Sequence, residues 1–120
     1  MKRHQDIIDP PITVGEYLEI KAPVYIDNTD TTLDTHLATY AIQWRLLGAN
    51  GALITKSTTD GGITVNVETG PPVVAAITII LTGTEAPGII NGCYKHIAEA
   101  TDENGNVHGL FEGSARVVNN

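Results

Sequence analysis

The stretch that decides the fold class spans residues 39–47 and reads Thr-Tyr-Ala-Ile-Gln-Trp-Arg-Leu-Leu. Every second position carries a large apolar residue, namely Tyr40, Ile42, Trp44 and Leu46. Because successive side chains of a β-strand point to opposite faces, this period predicts a strand with one buried face. The dipeptide Asn50-Gly51 follows and favours a tight hairpin turn, since both residues tolerate positive φ. A return strand is predicted over residues 53–57.

The same alternation recurs on both sides of this hairpin. It predicts strands over residues 18–26 and 63–68, each with one wet face. The nearly continuous apolar run over residues 73–82 predicts a strand that is buried on both faces. Two last strands are predicted over residues 92–101 and 107–118, on either side of Asn104-Gly105. Seven strands separated by regular turns predict an all-β protein, an antiparallel sandwich or barrel.

The composition describes one acidic domain. The chain has 120 residues, 42% of them apolar, which is enough for a single domain with a real core. Its net charge of −7 argues against a broad phosphate-binding face, so nucleic acid is excluded as a partner. Residues 1–6 do not form a signal peptide, and the longest apolar run, residues 73–81, is too short to cross a bilayer as a helix. We therefore expect a soluble protein with no membrane partner.

Two segments depart from the strand pattern. Residues 1–11 are polar and end with Pro10-Pro11, which forces an extended path, and the segment is given the bounds 1–13. This segment is either a loose tail or an extended N-terminal arm, and the arm would place Ile7, Ile8, Pro10 and Pro11 against a neighbouring subunit. The folded domain is then residues 14–120. Residues 27–36 are predicted to be a solvated loop, and residues 84–91 a loop with one helical turn.

The sequence offers little catalytic chemistry. Cys93 is the only cysteine, so a disulfide within the chain and a site with several cysteine ligands are excluded. We expect Cys93 to be a small buried core residue. A catalytic pair with His96 is not favoured, because residues three apart on a strand point to opposite faces. Neither Ser57 nor Ser114 has the surroundings of an activated nucleophile. The sequence thus predicts neither an enzyme nor a cofactor.

Two patterns resemble metal sites without completing one. Asp102, Asn104 and Asn106 alternate like the first ligands of a calcium loop, but Gly105 and Gly113 occupy the wrong positions, so a hairpin tip is predicted.

The histidines leave a second possibility. His96 and His108 could face each other across the last hairpin and hold zinc together with Glu99. Two ordinary surface histidines are the favoured interpretation, and no metal is predicted.

The last third of the chain resembles a known protein family. The residues that carry it, in order, are Thr84, Gly92-Cys93-Tyr94, Asp102, Asn104-Gly105, Leu110, Gly113 and Val117. This order resembles the immunoglobulin-like N-terminal domain of phage baseplate upper proteins and related small phage tail proteins. Val14-Gly15-Glu16 and the Trp44 strand with its Asn50-Gly51 turn are also similar, so the resemblance covers roughly residues 14–118. The usual Gly-Asp of the family is Gly15-Glu16 here, and residues 27–36 replace a shorter turn.

The resemblance implies an immunoglobulin-like β-sandwich of about seven strands. Its fold-defining residues would be Trp44, Gly92, Tyr94, Gly105 and Gly113. Trp44 would lie in the core without the usual disulfide, and the Tyr94 hydroxyl would bond back to the preceding loop.

For function, the resemblance implies a bacteriophage virion structural protein, made in the bacterial host cytoplasm. It would be an adaptor of the tail, baseplate or connector that binds other virion proteins and forms a homo-oligomer through its arm and edge strands. A capsid decoration protein is the alternative within this class. Two alternatives come from other classes of protein. One is a carbohydrate- or receptor-binding module that uses Tyr17, Tyr25 and Phe111. The other is a small hydrolase or metal protein that uses His96, His108 and Glu99.

Overall fold

A computed structural model of the chain describes residues 4–25, 33–85 and 87–119. The described residues form eight β-strands and one short 3-10 helix. In chain order these are β1 His4–Thr13, β2 Leu18–Pro23, the 3-10 helix Leu37–Thr39, β3 Ala41–Gly48, β4 Gly51–Ser57, β5 Ile63–Glu68, β6 Val74–Leu81, β7 Gly92–Thr101 and β8 Val107–Val118. In this part of the chain, no helix is both long and apolar enough to cross a membrane.

The strands form two sheets that pack as a sandwich, so the prediction of an all-β sandwich is confirmed. The larger sheet has five strands in the order β1-β8-β7-β3-β4, and the smaller has three in the order β2-β6-β5. All of the strand pairs are antiparallel except β1 with β8, which run parallel. Each of the seven predicted strands is present.

The eighth strand, β1, is formed by the segment that the sequence predicts to be an N-terminal arm outside the domain. Residues 4–13 do not alternate in hydrophobicity, and they form β1 because β8 offers them a sheet edge. Their register places Ile7 beside Ser114 and Ile12 beside Val117. Ile12 is 5% exposed and belongs to the core, so at least the end of this segment is part of the folded domain.

The core lies between the two sheets and contains the residues that the alternation predicted. Trp44 is fully buried and is the largest side chain there. The β3–β4 hairpin turns at Ala49-Asn50, one residue before the predicted dipeptide, and Gly51 begins β4 opposite Gly48 with a φ of 125°. This φ is rare for residues that carry a Cβ atom, which explains the glycine.

Three local predictions are corrected. β6 is buried on one face only, with Ala75, Ile77, Ile79 and Leu81 facing the core, because a single sheet covers it. The described residues of the loop 84–91 form a turn and no helix. The segment 27–36 lies partly outside the described residues, and Asp34 within it is only 6% exposed, not solvated.

Candidate functional site

A buried contact between Trp44 on β3 and His96 on β7 lies at the centre of the sandwich. The Trp44 Nε1–H donates a hydrogen bond to His96 Nδ1 over 3.2 Å, and both side chains are 0% exposed. His96 also packs edge-to-face against Phe111, with 5.8 Å between the two ring centroids. The prediction of surface histidines is therefore wrong for His96. Its place on the inner face could have been inferred from the alternation of Tyr94, His96, Ala98 and Ala100.

Burial lowers the pKa of His96 to about 4, because a charged imidazole loses its hydration in the core. The ring is therefore neutral at pH 7, and its proton lies on Nε2 because Nδ1 accepts the hydrogen bond from Trp44. Among the described residues, no partner accepts a hydrogen bond from this Nε2. His96 is thus a polar group kept neutral inside an apolar core.

The residues of the zinc hypothesis do not converge. His96 pairs across the hairpin with Gly113, while His108 pairs with Ala100, so the two rings do not face each other. Glu99 binds Arg45 instead, with 2.5 Å between Oε1 and Nη2. Within the described ranges, no group of three or more potential ligands could hold a metal ion.

The Asp102 carboxylate organises the tip of the β7–β8 hairpin. Its Oδ1 accepts hydrogen bonds from the backbone N–H groups of Asn104 and Asn106, each over 2.9 Å. Its Oδ2 lies 2.8 Å from His108 Nε2. The hydrogen bond to His108 and these backbone bonds lower the pKa of Asp102. The polar pattern first compared with a calcium loop is the predicted hairpin tip, where Gly105 has a φ of 84°.

Tyr94 holds the loop that precedes β7. Its hydroxyl donates a hydrogen bond to the Ile90 carbonyl oxygen over 2.7 Å, which is the contact that the resemblance implied. Asn119 holds the same loop from the other side, because its side-chain amide donates to the carbonyl oxygens of Pro87 and Ile89. The loop therefore presents Ile90 to solvent, 75% exposed, beside the half-exposed Leu53 of β4.

An ion pair that the sequence did not reveal joins β4 to the loop after β6. The Lys56 ammonium lies 2.5 Å from the Glu85 carboxylate, and both side chains are largely buried. The backbone N–H groups of Thr82 and Gly83 also donate to Glu85. Burial raises the pKa of Glu85, but Lys56 and the backbone donors outweigh it and bring the value to about 2.

Two expectations about exposed side chains are corrected. Cys93 is exposed rather than buried, because it precedes the inward-facing Tyr94 and so faces away from the core. Phe111 is only 2% exposed and cannot offer a platform for a sugar, which leaves Tyr17 and Tyr25 of the three aromatic candidates.

The sheet edges are places where another chain could bind. β1 and β4 flank the larger sheet, and β2 and β5 flank the smaller one. Ile7, Ile8 and Pro10 lie in β1, but their side chains fall outside the described part of the structure, while Pro11 is half-buried. The predicted interface is thus located on an edge strand, and its contacts with a partner stay a prediction.

Comparison with known proteins adds no family to this geometry. No protein-family model matches the chain, and a search of curated proteins found no significant match.

Proposed function

We propose that the sandwich is of the immunoglobulin type. The larger sheet contains β8-β7-β3-β4 in the order of the G, F, C and C′ strands of a variable-type domain, and β2-β6-β5 follow the order B, E, D. Trp44 occupies the strand that carries the core tryptophan in such domains. Tyr94 lies at the start of the strand equivalent to F and bonds back to the loop before it.

This correspondence explains the position of His96. In antibody domains, a cysteine of the core disulfide stands two residues after this tyrosine, and that disulfide packs against the tryptophan. Here His96 stands two residues after Tyr94 and hydrogen-bonds Trp44. A polar side-chain contact therefore takes the place of the covalent bond in a chain with a single cysteine.

We further propose that the protein is a structural component of a bacteriophage virion, an adaptor of the tail, baseplate or connector. What supports this proposal is the sequence resemblance, together with the positions of the residues that carry it. Gly92 and Tyr94 open β7, Gly105 forms the hairpin tip, and Gly113 lies within β8. A two-sheet sandwich with edge strands suits assembly, because an edge strand can pair with a neighbouring chain.

One experiment tests the proposed function and also distinguishes a place in the tail from the alternative place on the capsid. Purified phage particles are analysed by mass spectrometry and then imaged by cryo-electron microscopy with the protein carrying a small C-terminal tag. We expect the chain in the particles, with the tag density repeated around the tail or connector. Density spread over the head would instead identify a decoration protein, and absence of the chain from purified particles would overturn the proposed function.

A further inference from the structure

The pairing of β1 with β8 is irregular at two places, between His4 and Ile7 and between Ile8 and Ile12, and the second irregularity is the wider one. His4, Ile7 and Ile8 pair with the middle of β8, and Ile12 and Thr13 pair with its end. Between Ile8 and Ile12, β1 advances four residues while β8 advances two, from Ala115 to Val117. The Asp9-Pro10-Pro11 segment therefore has no paired residue on β8 and forms a bulge at the sheet edge.

The part after the bulge is fixed to the domain. Ile12 is buried in the core, and the Val14 N–H donates to the Val118 carbonyl oxygen over 2.8 Å. The turn that follows is also enclosed, since a Cβ atom on Gly83 would lie 2.8 Å from the Gly15 carbonyl carbon. Any movement of β1 relative to the domain must therefore begin at the bulge, before Ile12.

The part before the bulge, residues 4–8, pairs with β8 and with no other described strand. Proline supplies no N–H to a ladder and holds an extended backbone, so Pro10 and Pro11 can leave the sheet without losing a ladder donor of their own. The bulge is thus a stiff connection between a fixed anchor at Ile12 and a strand that is held along one edge only.

We propose that residues 4–8 are an exchangeable strand, which in the assembled protein lies along β8 of a second copy of this chain. The pairing seen within the chain shows that this segment fits this edge, and an identical segment from a neighbour would form the same hydrogen bonds. This inference rests on the proposed assembly role, because closely packed subunits supply the local concentration that exchange requires.

The length of the connection sets how close the two copies must lie. An extended strand rises about 3.3 Å per residue, so the three residues of the bulge, 9–11, span roughly 10 Å. Exchange therefore requires that the β8 edge of the second copy lies about this close to the bulge of the first, as it would in a closely packed assembly.

Exchange can be measured with single-cysteine variants in a Cys93→Ser background. The donor is the full chain with Ile7→Cys, and the acceptor is a size-tagged chain with Ser114→Cys that lacks residues 1–9. Positions 7 and 114 are partners in the β1–β8 register. Since each chain then contains one cysteine, a disulfide between positions 7 and 114 joins two chains, and pairing of the strand of one chain with the other raises its yield above that of random collision.

The two chains are mixed in a glutathione redox buffer and separated on a non-reducing gel. We expect a mixed donor–acceptor disulfide at a yield about tenfold above that of a control donor with Thr64→Cys, which is exposed on the other sheet. A yield equal to the control would overturn the proposal. If circular dichroism shows that the shortened acceptor is unfolded, the full-length Ser114→Cys chain is used as the acceptor instead. In that case, a yield of mixed disulfide that does not increase with protein concentration would also overturn the proposal.

This test is independent of the particle experiment. If the chain is found in virions but no mixed disulfide forms, only the exchange is wrong. If the mixed disulfide forms but the chain is absent from virions, the exchange stands and the proposed function is wrong.

Discussion

At the scale of single residues, the contact between Trp44 and His96 distinguishes this core from a purely apolar one. The indole N–H has an acceptor, but the histidine keeps one buried N–H without a partner among the described residues. Burial of such a group lowers the stability of the folded state, and protonation of the His96 imidazole would lower it further.

The stability of the protein should therefore fall in mild acid. The pKa of His96 is about 4 in the folded state against 6.5 for the free side chain, so between these values the unfolded chain binds more protons. Stability is then complete above pH 6.5 and is lost as the pH falls towards 4. Between pH 7 and pH 5 we expect a loss of about 2 kcal/mol. Urea unfolding followed by Trp44 fluorescence measures this difference.

The matched variants are His96→Leu and His36→Gln. The first removes the buried imidazole and should abolish most of the difference between pH 7 and pH 5, although it also lowers stability at both. The second changes an exposed histidine and should leave the difference intact. An unchanged difference in His96→Leu would show that another group controls the acid response.

At the scale of elements, the Lys56–Glu85 ion pair holds the loop after β6 against β4. The carboxylate accepts hydrogen bonds from Thr82 and Gly83 as well, so it satisfies backbone donors just after β6 ends. A single side chain therefore connects an edge strand of the larger sheet with the end of the central strand of the smaller one.

Removing this charge should weaken the connection. For Glu85→Gln we expect a loss of about 1–3 kcal/mol in the free energy of unfolding at pH 7, because Lys56 is left largely buried without a counter-ion. The wild-type pKa of about 2 is below the usual 4.5, so this contribution is present above pH 4.5 and is lost as the pH falls towards 2. Urea unfolding at pH 7 measures the loss. Glu68→Gln, on an exposed face of β5, serves as the control and should change stability by less than about 0.5 kcal/mol.

At the scale of the whole molecule, the first part of β1 is expected to contribute to assembly but not to be required for folding. Deleting residues 1–9 should leave a folded monomer, because Ile12 and the hydrogen bond from Val14 to Val118 remain. The same deletion should reduce incorporation into particles, since the strand proposed to bind a neighbour is absent. Circular dichroism of the purified chain and its copy number in particles, measured by mass spectrometry, test the two parts. Wild-type incorporation of the shortened chain would exclude a role for this segment in assembly.

By itself, the sequence determined the strands and their turns. Alternating side chains and dipeptides such as Asn50-Gly51 act locally, so seven strands, the buried Trp44 and both hairpins could be predicted. The tertiary structure decided the rest. β1 became a strand through pairing with β8, since backbone hydrogen bonds at an edge need no hydrophobic period. Likewise, the contacts of His96 with Trp44 and of Glu85 with Lys56 form only when segments distant in sequence pack together. The local pattern of residues along the chain does not indicate such contacts.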